Sequence, residues 1–149
     1  MRRLRLIAFC VVLVSWATDR PPVRAQEKAE SAPQQKQNLQ QEMLGAWALA
    51  GKPDTKDVPG PGARMKFWGL KHWIITESDP DTQDLIYHHG GTYTLDGDNY
   101  VEKITFAAPN TKQLIGLTLK FKIKVEGETY TQFGDGNSFS EKWVRLKPE

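Results

Sequence analysis

From Leu44 to Leu146 the chain is a run of short β-type segments divided by turns. No stretch in it has the helical periodicity that a crossover between parallel strands would need. Leu114–Glu126 shows the pattern best. Leu117, Leu119, Phe121, Ile123 and Val125 alternate with Thr118, Lys120, Lys122, Lys124 and Glu126, giving one apolar and one solvated face. The other expected strands are Leu44–Ala50, Ala63–Trp68, Lys71–Glu77, Asp84–His88, Gly91–Leu95, Asn99–Phe106, Thr129–Phe133 and Ser138–Leu146. Gly90-Gly91 either separates two of these or kinks them into one long strand. Turns fall at Asp79-Pro80-Asp81, Asp96-Gly97-Asp98, Gly127 and Gly134-Asp135-Gly136-Asn137, and a Pro- and Gly-rich loop runs from Lys52 to Gly62. The expected fold is all-β, an antiparallel up-and-down barrel of eight or nine strands, because closure removes exposed strand edges.

The segment before the strands divides in two. Residues 1–25 read as an export signal: a basic Met1-Arg2-Arg3-Leu4-Arg5, an apolar run from Leu6 to Ala17, and small residues Val23 and Ala25 before a cleavage at Gln26. The alternative is an uncleaved anchor, although the run is short for a membrane span. Residues 26–38, rich in Gln, Lys, Glu and Ala, read as a disordered tether. The barrel domain then occupies residues 39–149. Asn38–Met43 is expected as a short helix with Asn38 as its N-cap, placing Leu39 and Met43 on one face to plug a barrel end.

Charge follows the same division. The whole chain carries +2, but residues 1–25 hold five arginines and one acid. The remainder has 15 basic and 17 acidic side chains, which removes the case for a nucleic-acid partner. The single cysteine, Cys10, lies in the apolar run, so the exported domain would hold together through its core without disulfides. The expected location is periplasmic or secreted, with no membrane span after cleavage.

Alternation also assigns polar groups to the interior. On Asn99–Phe106, Tyr100, Glu102, Ile104 and Phe106 share a face. On Ser138–Leu146, Phe139, Glu141, Trp143 and Arg145 do. An interior carboxylate needs a partner, and Arg64, Lys66, His72 and Arg145 are the candidates for Glu102. One reading is a polar cluster at the floor of a ligand cavity, with Glu102, Glu141, Arg64, His72, Tyr93 and Tyr100 as ligand-binding residues. The other is that the glutamates pair with lysines across strands or tie barrel ends to backbone amides. Phe67 and Trp68 are adjacent, so one of them faces outward.

Other chemistries find little. His88 and His89 are adjacent on a strand and point to opposite faces, so they cannot chelate one ion, and no metal or cofactor is expected. Asp79, Asp81 and Asp84 lack EF-hand spacing and read as a solvated turn. No nucleophile elbow, P-loop or dinucleotide fingerprint occurs. No catalytic residue is assigned. The enzyme alternative is a Glu102/Glu141 carboxylate pair of the glycosidase kind, whose separation the sequence does not set.

Gly45-Ala46-Trp47, Gly90-Gly91-Thr92-Tyr93-Thr94-Leu95, Tyr100-Val101-Glu102, Leu114-Ile115-Gly116, Val125-Glu126-Gly127 and Glu141-Lys142-Trp143-Val144-Arg145 occur in this order over residues 39–147. With them the chain resembles the lipocalin superfamily, and more narrowly the small exported bacterial lipocalin-like domains of unknown function. The resemblance implies that Trp47 packs at the closed barrel end beneath Arg145 from the last strand, as barrel closure. It also implies a habit of binding small molecules, and no activity. The departures are the absence of a cysteine pair, the shorter length and the lack of a C-terminal helical pattern, which imply a small or filled cavity. The leading expectation is thus an exported protein that binds a small apolar or amphipathic molecule. The alternative is a filled barrel acting as a structural or interaction module.

Overall fold

The computed structural model describes residues 32–147, with side chains from Asn38 onward. The proposed signal segment and residues 26–31 of the tether lie outside the described residues. A helix, α1 (Ala32–Met43), leads into eight strands: β1 (Gly45–Gly51), β2 (Met65–Trp68), β3 (His72–Ser78), β4 (Leu85–Asp96), β5 (Asn99–Ala107), β6 (Thr118–Glu126), β7 (Thr129–Asp135) and β8 (Glu141–Arg145). Each strand pairs antiparallel with the next and β8 pairs with β1, closing the barrel. Trp47 and Arg145 are register partners in that closing pair.

The structure shifts several boundaries: β2 begins at Met65, not Ala63, and β8 at Glu141, not Ser138. The helix starts at Ala32, not Asn38, because Gln, Lys and Ala extend it and Pro33 is tolerated in a first turn. Asp84–His88 and Gly91–Leu95 form one strand, β4, the single-strand alternative that the sequence left open, and its pairing with β5 shifts at Gly90/Gly91. A Cβ on Gly91 would stand 1.9 Å from the Lys103 carbonyl oxygen, so the irregular pairing there requires glycine. The alternation that begins at Leu114 starts too early. A short 3-10 helix occupies Pro109–Leu114, and Gly116 takes φ +92, so the strand begins only at Thr118.

The core is layered. At the closed end Met43 and Trp47 are fully buried, and the Trp47 indole donates to the Met43 carbonyl at 2.9 Å. Arg145 lies 4.1 Å from the centre of the Trp47 ring, and its guanidinium donates to the carbonyls of Leu44 (2.9 Å) and Glu42. Above Trp47 comes a layer of rings in which Trp68 packs against Tyr130 at 4.6 Å, with Tyr100 and Trp143 beside it. The α1 helix closes this end, and the loops after β1, β3, β5 and β7 surround the other. Among the described residues no helix is long and apolar enough to cross a membrane.

Candidate functional site

Strand phase decides what lies inside. On β2, Lys66 and Trp68 point inward while Met65 and Phe67 take the outer face. On β5, Tyr100, Glu102 and Ile104 are buried, as their shared parity requires, but Phe106, expected on the same face, turns outward because the pairing with β4 shifts after Ile104; on β7 Tyr130 and Gln132 are buried. Lys66 and Glu102 therefore meet across the barrel as an ion pair with only 2% and 4% of their side chains exposed.

Hydrogen bonds link the polar side chains of this layer. The Tyr100 hydroxyl donates to Glu102 at 2.8 Å and accepts from the Trp68 indole at 2.8 Å. The Lys66 ammonium donates to the Gln132 amide oxygen at 3.3 Å, which also accepts from the Tyr130 hydroxyl at 3.2 Å. Gln132 passes the chain on, donating through Nε2 to Glu141 Oε2 at 2.8 Å. The rings of Trp68 and Trp73 lie 4.7 and 5.0 Å from the ammonium, so the cation sits over π faces as well as beside a carboxylate. Burial, joined by the negative charge of Glu102, pushes the hydroxyls of Tyr100 and Tyr130 well above their ordinary range, which keeps them neutral donors.

This layer is the floor of a cavity of ≈ 80 Å³ that opens among the loops opposite α1. Ile75, Ile104 and Phe121 form its walls, and Leu114, Leu117 and Phe139 line its mouth. Leu117 and Phe139 are 44% and 49% exposed, so the apolar lining continues onto the surface. Drug-sized ligands occupy pockets of about 300–1,000 Å³. This cavity admits a head group and a few carbons.

Three further groups face it. Arg64 is paired with Glu77 at 2.7 Å and stacks 4.2 Å over the Tyr87 ring. Glu141 is raised above the usual carboxylate range, first by burial and then by Glu102, against an opposing pull from Lys66. His89 is buried edge-on to Trp73 and Tyr87, and its Nδ1 has no protein hydrogen-bond partner. Burial, and then the positive charge of Lys66 and Arg64, lower its pKa to about 4, so the ring is neutral at pH 7.

The structure brings Glu102, Glu141 and Arg64 together at the cavity. It places the other three elsewhere. His72 is exposed on the outer face, because its neighbour Trp73 takes the inward position. Tyr93 faces inward but at the closed end, donating to the Gly69 carbonyl at 2.8 Å and accepting from Gln40 at 3.3 Å. Tyr100 lies beneath Glu102, outside the cavity lining. Trp47 and Arg145 hold the closed end. Lys66 had been only one of four possible partners for Glu102, and Gln132 and His89 had no assigned role. The signal for Gln132 was its parity with Tyr130, and for His89 its parity with Tyr87.

His88 and His89 do take opposite faces, His88 packing on the outside against Phe106 at 5.7 Å. Asp79 turns its carboxylate onto the amides of Asp81 and Thr82, both at 2.9 Å, and these bonds lower its pKa. Among the described residues no group of three or more His, Cys, Asp or Glu is placed to hold a metal ion.

A protein of known structure, a lipocalin-like protein from Bacteroides uniformis, superposes on this barrel with a TM-score of 0.52 over 70% of this chain and 99% of its own, at 13% identity. The fold is lipocalin-like. An uncharacterized protein from Bacteroides eggerthii gives a TM-score of 0.47 at 14% identity, over 68% of this chain and 96% of its own. No family model and no curated protein matches the sequence. At these identities the likeness speaks for the fold alone. Within that lipocalin-like barrel, the buried Lys66–Glu102–Gln132–Glu141 chain is what this sequence places under the mouth.

Proposed function

We propose that this protein is an exported binding module for a small amphipathic molecule, taken head group first. The observation that carries the reading is the order of the layers. The polar network lies at the bottom of the cavity and the apolar surface lies at its mouth. A ligand that matches both puts its polar end inward and lays its apolar part against Leu114, Leu117 and Phe139. The cavity is too small to enclose a whole lipid-sized molecule, so a tail would extend past Phe139 toward solvent. Native mass spectrometry of the protein purified from its own host tests this reading. A co-purifying small molecule that is lost on Phe139→Ala supports it. Its failure would be a protein that carries nothing and shows no shift of cavity resonances with any single-chain amphiphile. Export is tested on the same sample, as a chain whose measured mass begins at Gln26.

A second reading rests on the outside of the barrel. Ala46, Ala48 and Ala50 of β1, Met65 and Phe67 of β2, Ile74 of β3 and Phe106 of β5 make an outer face without charged side chains. The outer face of β6 by contrast carries Lys120, Lys122 and Lys124. An interaction module would use the apolar face, and Phe67→Lys would then abolish association while leaving the cavity intact.

A further inference from the structure

Resting on the ligand-binding reading of this cavity, we propose that the head group it selects is a cation, an alkylammonium seated against Glu141. The argument begins with the charges that face the site. Lys66 is neutralised by Glu102 and Arg64 by Glu77. His89 is neutral. Glu141 lines the same cavity, and no basic side chain lies within ion-pair distance of it among the described residues. Its hydrogen bond comes from Gln132, an uncharged amide. Taken together, Arg64, Lys66, Glu77, Glu102 and Glu141 leave one negative charge without a partner. A half-buried carboxylate in that position is costly until a cation arrives.

The hydrogen-bonding groups agree. A neutral imidazole offers one acceptor nitrogen, and His89 Nδ1 is buried without a protein partner on the cavity wall. An ammonium carries N–H donors for both a carboxylate and an imidazole. An anionic head group finds Lys66 and Arg64 already engaged and meets Glu102 and Glu141 as like charges. The lining suits a cation in a second way, since Trp73, Tyr87, Phe121 and Phe139 present aromatic rings to the cavity. The barrel already holds Lys66 and Arg64 over such rings. The raised carboxyl of Glu141 fits this arrangement, because burial is its main cause and outweighs the pull of Lys66 and Arg64.

The cavity volume limits the rest of the ligand. A head group and a short chain fill ≈ 80 Å³, and a longer chain emerges over Leu117 and Phe139. The class is therefore a single-chain primary amine, charged at neutral pH.

The test is calorimetric titration of the full chain at neutral pH with hexylamine, hexanol and hexanoate, which share one chain and differ in head-group charge. Hexylamine is expected to bind at least about tenfold more tightly than hexanol, with hexanoate weakest, the scale set by one charge-assisted hydrogen bond. Glu141→Gln is expected to remove about that factor from hexylamine and leave hexanol within about twofold. Hexanol or hexanoate binding as well as hexylamine overturns the cation assignment and leaves the binding-module reading standing. No binding of any of the three overturns both. The ranking is read on the unaltered protein, so it decides the matter even where Glu141→Gln folds poorly.

Discussion

Glu102→Gln removes the negative member of an ion pair whose side chains are 2% and 4% exposed. The amide still accepts from the Tyr100 hydroxyl, so packing and most hydrogen bonds survive. The main loss is the counter-charge of the Lys66 ammonium. Breaking one side of a buried pair costs about 3–5 kcal/mol. The rings of Trp68 and Trp73 offset part of this, since a desolvated cation over an aromatic face is worth about 2 kcal/mol. The expected loss is about 3 kcal/mol, read by urea unfolding, with a fall in melting midpoint of roughly 12 °C at about 4 °C per kcal/mol. Adding Lys66→Met removes the stranded charge and is expected to recover most of the loss. A Glu102→Gln cost below about 1 kcal/mol, or a double variant less stable than the single, would refute the account of a dry, mutually dependent pair.

Arg145→Met, which loses two carbonyl hydrogen bonds and the stacking on Trp47, should cost about 2–4 kcal/mol in urea unfolding. Gly91→Ala drives a methyl into the Lys103 carbonyl and should cost about 3 kcal/mol or prevent folding, whereas Gly97→Ala, at φ +59 in an open turn, should cost only about 1 kcal/mol. His89 titrates at about 4 in the folded chain, below its ordinary value near 6.5. The unfolded chain therefore binds the extra proton first, and stability is lost as pH falls through that window. His89→Phe should flatten this limb in melting curves. Glu141 shifts the other way. Its folded carboxyl holds a proton above the ordinary value, so ionisation costs stability as pH rises past 4.5, and Glu141→Gln should raise the melting midpoint at pH 7.

Most of the barrel was legible because strands report their faces through alternation alone. Glu141, Trp143 and Arg145 share a face on β8, and Glu102 joins Tyr100 and Ile104 on β5, as parity requires. What parity does not give is register between distant strands. Lys66 meets Glu102 across 36 residues and Gln132 across 66. That meeting depends on the stagger of a closed barrel, which no local pattern encodes. The false extension of β6 back to Leu114 has a different origin. Leu114 and Leu117 are apolar because they line the mouth, Leu114 at the end of the 3-10 turn and Leu117 just before the strand begins. His72 was misplaced for want of phase, since either it or Trp73 had to face inward and the larger apolar ring took the core.

The closed end has a consequence for exchange and for orientation. With Met43, Trp47 and Arg145 sealing one end, a bound molecule enters and departs by the same door. Substitutions that trim the mouth, such as Phe139→Ala, would widen that door and also remove apolar contact, so departure would speed more than arrival and occupancy would fall. The chain also enters the barrel at Gly45 and leaves it at Arg145, both at the sealed end. The opening and the chain's entry and exit therefore lie at opposite ends of the barrel.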